Sequence, residues 1–132
     1  MTELSKTILI VEDDLMVQTL YRYLLPNHYK LLVTDTVLRA KKIMETNKID
    51  CIILDLALTG DESGLILARF IRQEQKDLKT PILAVTAHAF PVDRQQALDA
   101  GCNDYMSKPI NENIMLQTIA NLISTKSEND ID

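Results

Sequence analysis

The sequence predicts an α/β fold: a doubly wound, five-stranded parallel sheet with helices on both faces. Short apolar runs alternate along the chain with stretches of helical period. The runs are apolar at consecutive positions rather than at every second one, as in strands buried on both faces. The 3 glycines and 4 prolines are few enough that each reads as punctuation between elements. Right-handed crossovers then make a doubly wound sheet the natural arrangement, with its site at the carboxyl ends of the strands.

Thr7 to Val11 is the first strand. Val17, Leu20, Tyr21 and Leu24 recur at helical spacing, and Pro26 ends that helix. Leu31 to Val33 is the second strand, followed by Thr34 or Asp35 as a helix cap and a stripe of Val37, Ala40, the Lys41 stem and Met44. Cys51 to Leu54 is the third strand. After a polar loop, Ser63 caps a helix running through Leu67, Ala68 and Ile71. Ile82 to Val85 is the fourth strand, and Pro91 and Gly101 bracket the next helix. Tyr105 and Met106 belong to a short fifth strand. Asn111 caps a last helix built on Met115, Ile119 and Leu122. Residues 1–5 and 124–132 read as flexible termini.

At 132 residues the chain has room for one ordinary domain. Its 14 basic against 19 acidic residues give a net charge of −5, which argues against non-specific nucleic-acid binding. No apolar run is long enough to span a bilayer, and no basic-then-apolar signal opens the chain, so a cytoplasmic location without membrane insertion is expected. Cys51 and Cys102 lack metal-ligand spacing and read as reduced core thiols.

The residues just after each strand carry the chemistry. Strand one ends in Glu12-Asp13-Asp14, strand three at Asp55 and strand four at Thr86, and strand five is followed by Lys108-Pro109. A parallel sheet brings all of these to one edge. Clustered carboxylates raise one another's pKa unless a cation sits among them, and a hard divalent ion such as magnesium suits an all-oxygen donor set. Taken singly, each residue has a plainer reading: a helix start for the acidic triplet, a loop cap for Asp55, a surface lysine for Lys108, a strand-end hydroxyl for Thr86. Only their convergence from different strand ends favours a site. Rival chemistries fit poorly. There is no glycine-rich phosphate loop, Ala57 stands where a phosphohydrolase needs a second carboxylate, and His28 and His88 are isolated.

The motifs "ILIVEDD", "CIILDLAL", "ILAVTAHA" and "GCNDYMSKPI", in that order, resemble the receiver domains of two-component response regulators over Lys6 to Ile123. The resemblance implies the strand order 2-1-3-4-5 and a receiver domain over residues 6–123. It implies Asp55 as phosphoryl acceptor, with Lys108 and Thr86 contacting the phosphoryl group and Tyr105 as an aromatic switch. Magnesium would be held by Asp13 and Asp55, by Glu12 mostly through water, and by the Ala57 carbonyl. Lys108 and Pro109 would share a cis peptide. Asp14 falls outside the acidic pair and is expected to start the first helix. The implied partners are a sensor histidine kinase or phosphotransfer protein, and a downstream protein bound on helix 4, strand 5 and helix 5, roughly Val92 to Ile123. The chain departs from the family pattern after the acceptor, where Thr59 and Ser63 replace the usual proline and glycine and Gly64 comes one residue late. The expected function is a single-domain response regulator, a signalling switch rather than an enzyme. A phosphorylation-independent interaction module and a receiver fragment of a hybrid kinase remain alternatives.

Overall fold

The computed structural model describes residues 6–58, 63–87 and 91–130, apart from the side chains of residues 92 and 126–130. Strands β1 (Thr7–Val11), β2 (Lys30–Thr34), β3 (Cys51–Asp55), β4 (Ile82–Thr86) and β5 (Asp104–Ser107) form one parallel sheet in the order 2-1-3-4-5. Helices α1 (Leu15–Leu24), α2 (Val37–Thr46), α3 (Gly64–Arg69), α4 (Pro91–Asp99) and α5 (Glu112–Asp130) connect and follow them.

The alternation of side chains along each strand splits the core in two. Leu9, Val11, Ile52, Leu54, Ile82 and Ala84 face α2, α3 and α4, meeting Val37, Ala40, Leu67, Ala68, Ile71 and Ala97. Ile8, Ile10, Cys51, Ile53, Leu83 and Val85 face α1 and α5, meeting Tyr21, Leu25, Met115 and Ile119. Each fully buried Leu or Ile contributes about 1.5–3 kcal/mol, so the central strands hold the edge on which the site is built. Cys51 and Cys102 are free and buried, and burial pushes the Cys102 thiol up to about 11.

Two boundaries differ from expectation. The cap of α2 is Thr36, whose hydroxyl accepts from the Arg39 N–H at 3.1 Å. Thr34 is held in β2 opposite Val11, and Asp35 is taken by the Arg39 guanidinium at 2.8 Å, so neither expected residue is free to cap. Helix α5 continues to Asp130, past Ile123 and into the segment expected to be a flexible terminus. Asn111 caps it as expected, accepting from the Ile114 N–H at 3.0 Å. Residues 59–62 of the loop after β3, and His88, lie outside the described residues.

Helix α3 widens into a π-helical turn over Phe70–Glu74, which carries Arg72 to the amino edge of β4 and β5. Its guanidinium donates to the Gly101 carbonyl (3.0 Å), the Asp77 carbonyl (2.9 Å) and Asn103 Oδ1 (2.8 Å). Asn103 Oδ1 also accepts the Ile82 N–H at 2.8 Å, which fixes the start of β4. Gly101 has φ +110, and a Cβ there would meet Arg72 Cγ at 2.4 Å. The Asp77 carboxylate closes the loop by accepting from the Lys79 N–H and from the Thr80 N–H and hydroxyl. Burial would raise its pKa, but the Thr80 and Lys79 hydrogen bonds and the Arg72 charge outweigh burial and hold it below the usual carboxylate value.

At the opposite end, α3 begins hard against the last residue of β3. A Cβ on Gly64 would lie 2.3 Å from the Asp55 carbonyl oxygen. Gly64→Ala should therefore lower stability by about 1–3 kcal/mol in denaturant unfolding, because backbone cannot yield as a flexible side chain can. A variant within about 0.5 kcal/mol of wild type contradicts this close approach. Asp77→Asn should cost about 1 kcal/mol at neutral pH by weakening the Thr80 and Lys79 contacts. A lowered carboxyl pKa adds stability above its ordinary value of 3.8 that is lost as pH falls through the lower folded value. The difference between variant and wild type should therefore shrink in acid, and a constant difference would assign the effect to packing.

Candidate functional site

The carboxyl edge of β1, β3 and β4 gathers the predicted residues. Glu12 follows β1, its N–H bonded to the Thr34 carbonyl at 2.9 Å and its own carbonyl taken by the Gln18 amide of α1. Its side chain is 1% exposed. One carboxylate oxygen accepts the Asp14 N–H at 3.1 Å. The other lies 2.9 Å from Lys108 Nζ yet makes no well-directed hydrogen bond, so a buried oxygen is charge-paired but not fully satisfied. Asp55 ends β3, buried, with Oδ1 accepting the Ala57 N–H at 2.9 Å and Oδ2 3.4 Å from the same ammonium. Lys108 is fixed through its own N–H, which donates to the Thr86 carbonyl at 2.8 Å, and the Lys108–Pro109 peptide is cis.

Glu12, Asp13 and Asp55 each bring a carboxylate oxygen within 4.8 Å of the other two. Among the described residues, the Lys108 ammonium is shared by two of these acids, Glu12 and Asp55. Burial, and then the contact with Asp55, push the Glu12 carboxyl up to about 7, although Lys108 and the Asp14 N–H pull the other way. Lys108 is raised as well, because the two carboxylates outweigh its own burial. A hard divalent cation fits this donor set: it would offset the burial and the Asp55 contact that raise Glu12 and add a second cation beside the oxygen that Lys108 pairs.

Thr86 and Tyr105 stand outside the acidic cluster but beside it. Asp55 pairs with Val85, so Thr86 is the next residue along β4, 2% exposed. Tyr105 pairs with Ala84, whose side chain shares a face with Thr86. Both therefore look toward α4, and Tyr105 is half-buried against that side of the core. Asp14 caps α1, accepting from the Met16 and Val17 N–H groups at 2.9 and 3.3 Å. His28 lies exposed beside Tyr29 just before β2, at the opposite edge of the sheet.

Sequence reasoning overlooked two residues here. Gln18 was not singled out because a helical glutamine gives no signal until α1 is docked. Gly64 was noted only as a shifted glycine, although its distance from Asp55 leaves no room for a side chain. Among the described residues, no helix is long and apolar enough to cross a membrane.

Comparison with known proteins agrees with this geometry. A family model for the response regulator receiver domain matches residues 8–120. The polar-differentiation response regulator DivK of Brucella ovis is 30% identical over 117 residues, covering 88% of this chain and 94% of DivK. The signal receiver domain of a putative Luxo repressor protein from Vibrio parahaemolyticus superposes with a TM-score of 0.87 at 28% identity, covering 97% of each chain. The receiver domain of a sensor histidine kinase from Pseudomonas aeruginosa PAO1, with a magnesium ion coordinated in its active site cleft, superposes with a TM-score of 0.82 at 30% identity, covering 92% of this chain and 99% of that one. A family match over most of the chain, a sheet in the order 2-1-3-4-5 and an acidic cluster at its carboxyl edge lead to one conclusion: this chain belongs to the response regulator receiver-domain family.

Proposed function

We propose that this receiver domain takes a phosphoryl group onto Asp55 from a phosphohistidine on a sensor kinase or phosphotransfer protein, in a magnesium-dependent reaction. The observation that carries the reading is the convergence of the Glu12, Asp13 and Asp55 carboxylates, with the Lys108 ammonium against Glu12 and Asp55. A carboxylate oxygen of Asp55 attacks phosphorus as the bond to the imidazole nitrogen breaks, and the bonding pair leaves with the imidazole. Lys108 stays protonated and offsets charge on the transferring oxygens, an electrostatic task that asks little else of the protein. Magnesium, when bound, neutralises charge on the same oxygens. Asp13, Asp55 and the Ala57 carbonyl would hold it, with Glu12 acting through water.

After transfer, the acyl phosphate carries roughly one more negative charge than the carboxylate. The Thr86 hydroxyl turns toward the new oxygens, and Tyr105, on the same face of the sheet, repacks beside it. The surface of α4, β5 and α5 thereby reports the state of Asp55 to a downstream protein through a shift between two packings. An interaction module needing no phosphate would have no use for a half-buried lysine bridging two buried carboxylates.

The approach of the donor is suggested by α1, which starts at Asp14 on the rim of the cluster. Leu15, Met16 and Tyr23 are 74%, 83% and 81% exposed on this one helix. Met16 and Tyr23, together with Leu20, offer an apolar strip suited to a donor protein whose histidine must reach Asp55.

Asp55→Asn should eliminate labelling by a small phosphodonor. Asp13→Asn should abolish the response of the Asp55 and Ala57 amide signals to magnesium. Labelling that persists at another residue overturns the acceptor assignment, and an undiminished magnesium response places the metal elsewhere. Met16→Glu should slow transfer from a protein donor by about tenfold, as expected for loss of a central apolar contact, while small-donor labelling stays unchanged. Equal loss with both donors would show that α1 supports the site rather than the donor.

A further inference from the structure

We propose that Asp93 is the charge through which phosphorylation of Asp55 moves α4, a positioning role that rests on the acceptor reading above. Asp93 lies in the first turn of α4, on the stripe that continues through the buried Ala97 and Ala100. That stripe faces the sheet, so this carboxylate points toward the core side of the helix rather than away from it. It lines a cavity of about 140 Å³ together with Ala57, Thr86 and Gln96. Ala57 is bonded to Asp55 through its N–H, and Thr86 lies one residue beyond the strand partner of Asp55. The cavity thus separates the acceptor's immediate neighbours from a negative charge on the helix that must respond.

Tyr105 reports the same placement from the other side. Its phenol is raised by burial and then by the Asp93 charge, so Asp93 stands near both Thr86 and Tyr105. An acid in a first turn also favours the helix dipole, which is the plainer account of Asp93. That account does not explain a carboxylate set on the inward stripe beside the acceptor. Lys108, and magnesium when bound, would offset part of the cluster's charge, but the phosphoryl group still adds roughly one negative charge facing the cavity. Repulsion then drives the first turn of α4 outward. Its other end stays fixed, because Arg72 holds the Gly101 carbonyl just past the helix.

The test uses beryllofluoride with magnesium as the phosphoryl mimic on the full chain, comparing wild type, Asp93→Asn and Asp93→Glu. Mimic affinity and the amide shifts of Arg94 to Asp99 are read at low and high salt. Asp93→Asn should bind the mimic about 3- to 10-fold more tightly at low salt, the order expected for a partly exposed charge pair at cavity distance. The gain should collapse at high salt as screening removes the repulsion, and the α4 shifts should fall to a fraction of wild type. Asp93→Glu should behave as wild type. Unchanged affinity with full α4 shifts in Asp93→Asn overturns the proposal, as does a gain indifferent to salt, which would mark a packing effect. Absence of mimic binding in wild type, or its survival in Asp55→Asn, would instead sink the acceptor reading and the Asp93 role with it.

Discussion

The repulsion among carboxylates at the carboxyl edge of the sheet is the constraint on which the rest of this molecule depends. Glu12 and Asp55 are both buried and share a single ammonium. Removing charges from water is costly unless they are paired, and one ammonium between two buried carboxylates leaves negative charge in excess. The protein tolerates the arrangement because the flanking structure over-determines it. The backbone of Glu12 is tied to β2 and α1, that of Lys108 to β4, and the Asp55 carboxylate to the Ala57 N–H. The rigid sheet keeps the acids together, and their mutual cost makes the edge receptive to a cation.

The two faces of the sheet divide the labour. The face shared with α1 and α5 is packed by large side chains such as Tyr21, Met115 and Ile119. On the other face, among the described residues, α4 buries the alanines Ala97 and Ala100, with a cavity beneath its first turn. Small side chains bury little apolar area, so α4 is held less firmly than the strands below it. Arg72 restrains one end of that helix, while the other carries Asp93 above Thr86. An element fixed at one end and lightly packed at the other suits conversion of a local change of charge into a change of surface.

Much of this was legible in the sequence because the relevant signals are local. Four consecutive-apolar runs and the Tyr105-Met106 pair locate the strands, and the residues following them locate the acids, Thr86 and Lys108. What escaped depends on contacts between distant segments. The cap of α2 falls at Thr36, just beyond the Thr34 or Asp35 that the sequence suggests, because the pairing of β2 with β1 carries the strand through Thr34. The π-helical turn after Arg69 has no composition signal, since two of the three partners of Arg72 lie 29 and 31 residues away. The closeness of Gly64 to Asp55 follows from how α3 docks rather than from the glycine itself. Helix α5 runs into a polar segment that carries no apolar stripe to announce it.

Charge balance at the acidic edge is tested most directly by the magnesium affinity of Lys108→Met, measured against wild type at low ionic strength. Lysine and metal would serve the same carboxylates, so removing the ammonium should leave more negative charge for the ion. Binding should tighten by about threefold to tenfold, the order expected for one charge at close range in a partly buried site. Tighter magnesium binding with slower phosphoryl labelling is the predicted result. Unchanged or weaker binding in a folded variant would contradict the view that these three acids and one lysine form a single electrostatic unit.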